Sequence, residues 1–218
     1  MSVGDALVVA LVIAASGVVQ LAAGFGFALA SVPLLSIVLG PHEAVVVALG
    51  LATFTNAFQA YAGRHDAARP VVARMLAGAV VGLPFGLLVF RWTDARVLGV
   101  LVGLAVLAAV GVTARGVDLR QAGRRLDVAA GVVSGVLTTS VGTNGPPLVF
   151  VLQSRRFSPE RFRATITTVF FTLDVLSVAV FAATGEIDGD ILIAIAVALP
   201  GLAAGAVAGI WVRQFLDP

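Results

Sequence analysis

Two short clusters hold the residue types that suit chemistry on a small ligand. The first is Gly24-Phe25-Gly26-Phe27, with Pro33 close behind. The second is Ser140-Val141-Gly142-Thr143-Asn144-Gly145-Pro146-Pro147. Both interrupt long apolar segments. An interrupted helix leaves backbone N–H groups unpaired where one arm starts and carbonyls unpaired where the other ends. In hydrocarbon these groups need partners from protein, water or ligand. A helix amino terminus carries partial positive charge and attracts anions. Two such starts, near Phe27 and near Gly145, would hold an anion between them. Asn144 would donate through its amide, and Ser140 and Thr143 through hydroxyls. Gly24, Gly26, Gly142 and Gly145 would let backbone come close to the ligand. One break alone would as readily be a kink between packed helices. Two matched breaks favour a site, with Gly24, Phe25, Gly26, Phe27, Ser140, Gly142, Thr143, Asn144, Gly145 and Pro146 as its candidate substrate-binding residues.

A second candidate group is Asp174 with Asn56. Asp174 is the only acidic residue deep in a predicted span, and Asn56 falls on it when the chain is slid by 118 residues. A carboxylate inside a membrane is costly and marks function by default. One reading has it accept and release a proton that couples transport to a proton gradient. The other has it bonded to Thr172, Ser177 or Asn56 as helix glue. Gln20, Thr53, Thr55, Gln59, Thr138, Thr139 and Gln153 either line a cavity or bond between helices. Enzyme chemistry finds no foothold, and no metal site or cofactor is expected. There is no Cys, and the two His, His42 and His65, fall in predicted loops on opposite faces. Ser134-Gly135 has no His at its depth to act as base. All fourteen basic residues are Arg, so no Walker lysine exists to support ATP-driven transport.

The elements that position these groups follow from composition. The 218 residues are 59% hydrophobic and 12% charged, and mean hydropathy is +1.04. Soluble domains are about 45–50% apolar and about 25% charged. The chain is therefore expected to be an all-α polytopic membrane protein. A net charge of +2 without a basic stripe gives no footing for nucleic acid. The segment Met1 to Leu39 is not expected to be a signal peptide, because Met1-Ser2-Val3-Gly4-Asp5 lacks positive charge.

Segments 44–62, 71–90, 96–114, 164–183 and 190–212 approach the roughly 20 residues of a spanning helix. Segment 6–39 would be about 50 Å long as one helix, against a core of about 30 Å. We read it, and 127–153 likewise, as a re-entrant hairpin of two helical arms. If each hairpin enters and leaves on one face, twelve Arg lie on one side and only Arg91 and Arg96 on the other. If each crossed once, the Arg would split seven against seven. The positive-inside rule selects the hairpins. It places the amino terminus outside, the carboxyl terminus in the cytoplasm and the acidic loop Glu186-Ile187-Asp188-Gly189-Asp190 outside. Arg155, Arg156, Arg161 and Arg163 serve mainly as this topology signal, with Arg163 also considered as a lure for anions at the inner mouth.

The breaks belong to a duplication. Gly17 falls on Gly135, Gly24 on Gly142 and Pro41 on Pro159 at an offset of 118. Gly78-x-x-x-Gly82-x-x-x-Gly86 answers Gly201-x-x-x-Gly205-x-x-x-Gly209 at an offset of 123. Three spans follow the first hairpin, so the second half starts from the other face and the repeats are inverted. The expected organisation is a first repeat over 1–116, an Arg-rich cytoplasmic linker over 117–126 and a second repeat over 127–218, which lacks a partner for span 96–114. That makes about seven hydrophobic units. The Gly-x-x-x-Gly faces are close-packing surfaces within one subunit or in a homodimer.

Ala23-Gly24-Phe25-Gly26-Phe27 with Val32-Pro33-Leu34-Leu35, and Gly142-Thr143-Asn144-Gly145-Pro146-Pro147-Leu148, resemble the TauE/SafE family of membrane transporters. The resemblance covers nearly the whole chain. It implies export of sulfite or a small organosulfonate. The paired breaks add the expectation of a bacterial inner-membrane carrier whose two hairpin tips form the site, worked by alternating access, with the bilayer and a small anion as partners. Family members usually carry a further hydrophobic helix beyond the position of Gln214-Phe215-Leu216-Asp217-Pro218. An anion channel and a non-transporting membrane scaffold remain the other readings of the residues themselves.

Overall fold

A computed structural model describes residues 3–114, 123–153, 155 and 157–216. The predicted loop residues Arg115, Arg120 and Arg156, most of linker 117–126, and Asp217-Pro218 lie outside the described residues. The helices are α1 (Val3–Ala23), α2 (Phe27–Val38), α3 (Pro41–Ala62), α4 (Arg69–Trp92), α5 (Ala95–Ala114), α6 (Arg124–Val141), α7 (Gly145–Gln153), α8 (Pro159–Ala183) and α9 (Gly189–Leu216). The protein is an all-α polytopic membrane protein. Its helices α1, α3, α4, α8 and most of α9 are long and apolar enough to cross a bilayer. Side chains such as Leu11, Phe54, Phe85 and Trp211 stand exposed on the outside, where lipid would cover them.

The five predicted spans lie inside α3, α4, α5, α8 and α9, and the helices run further at their starts. Proline explains three of these extensions. It occupies the first turn of α3, of α4 and of α8, where its missing N–H costs nothing. Ser158 caps α8 by accepting from the Arg161 N–H.

Both predicted breaks are present. Gly24 and Gly26 sit at φ 85° and 105°, and Gly142 at φ 72°. A side chain in that left-handed region is strained, so glycine sets where the helices stop. The arms are unequal, at 21 and 12 residues for α1 and α2 and 18 and 9 for α6 and α7. The first break falls late in segment 6–39, so α1 alone is about as long as the hydrocarbon core is thick.

Helix directions follow from which residues meet. Gly78, Gly82 and Gly86 lie against Val128, Val132 and Val136 in rising order, so α4 and α6 are parallel. Gly201, Gly205 and Gly209 lie against Ala10, Ala14 and Val18 in rising order, so α1 and α9 are parallel too. The glycine faces are thus occupied within one chain, and a homodimer would need another surface. Asn56 meets Asp174 while Gly63 meets Ala164, so α3 and α8 are antiparallel at the centre.

These directions place the hairpin roots. Asp127, at the start of α6, is fully buried and ion-paired with Arg155, just after α7, and with Arg74 of α4 at 2.8 Å. Both roots of the second hairpin therefore lie at the α4 start. At the other end, Arg91 pairs with Glu186 at 2.9 Å just before α9, and His42 Nε2 bonds the Phe90 carbonyl at 3.0 Å just after α2. Both roots of the first hairpin lie there, so the hairpins enter the bundle from opposite ends. Each short arm anchors its own apolar core. Phe27, Val32 and Leu35 of α2 pack with α3, and Leu148, Val151 and Leu152 of α7 pack with α4 and α8.

Candidate functional site

Four polar side chains, all buried, join the two hairpins through the central helix pair. The Asn144 amide, at the second break, donates to Asp174 Oδ1 at 3.0 Å. The Asn56 amide of α3 donates to Asp174 Oδ2 at 2.7 Å. Asn56 Oδ1 accepts from the Gln20 amide of α1 at 2.6 Å. Gln20 Oε1 then accepts from the Phe27 N–H, the first of α2, at 3.1 Å. Both Asp174 oxygens accept here, so both asparagine amides turn toward that side chain, and Asn56 passes the polarity on to Gln20. The relay ends on the helix amino terminus proposed from sequence as an anion donor.

The network borders a cavity of about 20 Å³, room for about one water. Of the ten candidate binding residues, Gly26, Phe27, Gly142, Thr143, Asn144 and Gly145 line it, together with Asn56 and Asp174. Leu49, Ala52 and Phe170 supply apolar wall. The other four lie elsewhere. Gly24 rests against the side chain of Arg163. Phe25 packs on the second core. The Ser140 hydroxyl donates to the Val136 carbonyl within its own helix at 2.7 Å. Pro146 is half-buried in the first turn of α7 and, like Pro147, carries no N–H, so this helix start offers fewer donors than that of α2.

Asp174's partners differ in part from those expected. Asn56 holds it, but Thr172 donates to the Thr168 carbonyl, and the buried Ser177 hydroxyl has no partner among the described residues. Two further residues support the tips. Gln20, expected from sequence to line a cavity or to bond between helices, does both. Ser134, set aside as a nucleophile, donates to the Asn144 carbonyl at 2.6 Å and braces the break. Ten residues separate that pair along the chain, and the fold-back that joins them leaves no periodic signal.

A larger vestibule of about 310 Å³ opens beside the cavity, lined by Leu21, Gln59, Gly63, Arg163 and Thr167 among others. Gln59 and Thr167 lie about one helical turn from Asn56 and Phe170 of the cavity wall. Arg163, which lines the larger space, donates to the Ala22 carbonyl at 3.4 Å and contacts the first hairpin tip at Gly24.

The tips are held in matching ways. Gly24 sits against Arg163 near the start of α8, and Gly142 against Val45 near the start of α3. Each member of one pair is 118 residues from its counterpart in the other, the separation that also relates Asn56 to Asp174.

Comparison with known proteins extends over this whole arrangement. A curated relative, the probable sulfite/organosulfonate exporter TauE of Cupriavidus necator, is 26% identical over 207 residues, covering 91% of this chain and 79% of that protein. No solved structure matches. The family model "Sulfite exporter TauE/SafE" matches residues 9–218, taking in both hairpins and every member of the polar network, and the chain therefore belongs to the TauE/SafE family.

Proposed function

We propose that this protein is a secondary transporter that exports a small sulfur-containing anion, sulfite or an organosulfonate, across the bacterial inner membrane. The anion binds between the two hairpin tips, and alternating access exposes that place to each face in turn. The substrate class comes from the family and from the name of the Cupriavidus relative. The observation that carries the rest is the buried relay from Phe27 through Gln20, Asn56 and Asp174 to Asn144, placed beside the cavity where both breaks meet. Helix packing alone gives no reason for so many polar groups to gather at two helix ends inside a membrane.

In this reading the halves 1–116 and 127–218 are inverted repeats. Hairpins entering from opposite ends, and contact pairs related by 118 residues, support it. Asn144, Thr143 and the N–H groups at the start of α2 receive the oxyanion, and Gly26, Gly142 and Gly145 give it room. Asp174 and Asn56 form the coupling centre. A space fit for one water does not admit sulfite, so this conformation is closed, and a tip must shift to load it. A carrier has such closed states in its cycle, whereas an open channel has a continuous pore.

The test is counterflow of radiolabelled sulfite in proteoliposomes, with sulfoacetate, sulfate and thiosulfate as competitors. Accumulation against unlabelled sulfite is expected, and Asn144→Leu abolishes it while the protein still inserts and elutes as a folded species. Normal counterflow by Asn144→Leu removes that amide from the site. Flux without counterflow converts the reading to a channel.

A further inference from the structure

This inference rests on the carrier reading and concerns what must accompany the anion. We propose that Asp174 acts as a resident anion that occupies the donors an incoming oxyanion needs, so that each anion binds together with one proton taken up by Asp174.

The geometry sets up a competition. The amides of Asn144 and Asn56 lie on the cavity wall, and each is held by an N–H donated to one oxygen of Asp174. Gln20 is committed at both ends, to Asn56 and to the Phe27 N–H. An oxyanion entering the cavity finds these amides turned toward Asp174 and competes with that carboxyl for them. Among the described residues, no cationic side chain lines the cavity to offset that charge. Among the described residues, the cavity receives Gln20 from α1, Phe27 from α2, Asn56 from α3, Phe170 from α8 and Thr143 with Asn144 from the second hairpin. None of these is titratable. The basic residues of α8, Arg161 and Arg163, lie about three turns or more from Asp174 along that helix. Two negative charges in a dry space with no cation between them repel strongly.

Protonation removes both obstacles. One O–H bond forms on Oδ1, with the proton drawn from water on whichever face the cavity opens to. Asn144 then loses its acceptor, and its amide turns to the oxyanion. The new O–H becomes a further donor, while Oδ2 keeps its bond from Asn56. No other bond forms or breaks, and release of the anion returns the proton to water. The cavity carries one negative charge whether it is empty or holds a monovalent anion.

The experiment measures binding of methanesulfonate to the full chain in lipid nanodiscs by titration calorimetry. A sulfonate stays a monoanion across the working range, so any proton taken up belongs to the protein. Titrations in two buffers of different ionisation heat give the proton count directly. The expected result is about one proton per anion where the empty protein holds Asp174 ionised, with affinity falling about tenfold per pH unit as pH rises there. Asp174→Asn is expected to bind without proton uptake and without that slope. Binding by the native chain with no proton uptake at any pH overturns the inference and leaves the carrier reading standing. A slope that persists in Asp174→Asn overturns it as well. If Asp174→Asn does not fold, the two-buffer count on the native chain decides alone. Absence of binding by both methanesulfonate and sulfite at every pH overturns the site itself, and this inference with it.

Discussion

Gln20 shows how much one side chain carries in this site. Its amide holds Asn56 in the orientation that serves Asp174, and its carbonyl satisfies the first N–H of α2. Replacing it by leucine keeps the volume and removes both functions. Asn56 Oδ1 and the Phe27 N–H would then be buried without partners, at a cost of about 1–3 kcal/mol for each group. Gln20→Leu is therefore expected to lower the thermal unfolding midpoint in detergent. An unchanged midpoint would mean that water replaces both bonds. Asp174 and Asn56 were legible as a pair from sequence because both break an apolar pattern at equal depth. Gln20 breaks the same pattern, but its link to Asn56 spans 36 residues and depends on how α1 meets α3.

At the scale of elements, the hairpins are held by glycine surfaces on partners from the opposite half. The second hairpin runs along α4, and the first along α9. A methyl group at Gly82 would overlap the Val132 carbonyl, which is backbone and cannot rotate away, so α4 and α6 would have to separate. Gly82→Ala is expected to destabilise by about 1–3 kcal/mol, the usual cost of an overpacked contact. Gly103→Ala is the control. Nothing lies within 4 Å of a methyl there, and alanine favours a helix over glycine by about 1 kcal/mol. Thermal midpoints of the two variants should move in opposite directions, and equal midpoints would refute the close approach. The roots of the hairpins also differ. Asp127 ties the second root to Arg74 and Arg155, while Val9 occupies the corresponding place in α1 and is packed in apolar surroundings.

For the whole molecule the prediction concerns orientation. The arginine count sends Arg64, Arg69 and Arg74 to the cytoplasm and the Glu186–Asp190 loop outside. The structure separates these groups to opposite ends, since Arg74 stands at the α4 start and Glu186 pairs with Arg91 at the α4 end. The chain has no native Cys, so single replacements label cleanly. Asp188→Cys should react with an impermeant maleimide in intact cells whose outer membrane has been permeabilised, and Asp66→Cys only after lysis. Both positions are exposed. The opposite pattern inverts the topology and, with it, the face on which the Arg163 vestibule opens.

What the sequence by itself determined is what depends on local chemistry. Apolar composition made the chain a membrane protein, proline and glycine marked the starts and breaks of helices, and self-similarity at 118 residues carries the repeat proposal. These signals survive because backbone conformation and hydrocarbon solubility are properties of short segments. The tertiary structure alone decided which polar groups meet. It put the Asn144 amide on Asp174 at the cavity wall, turned Ser140 back onto its own helix, moved Gly24 to Arg163, and joined Gln20 and Ser134 to the tips. Those partnerships link residues from separate elements. A side-chain hydrogen bond depends on the rotation and depth of both helices, and these are set by packing along the glycine faces, which no single segment contains.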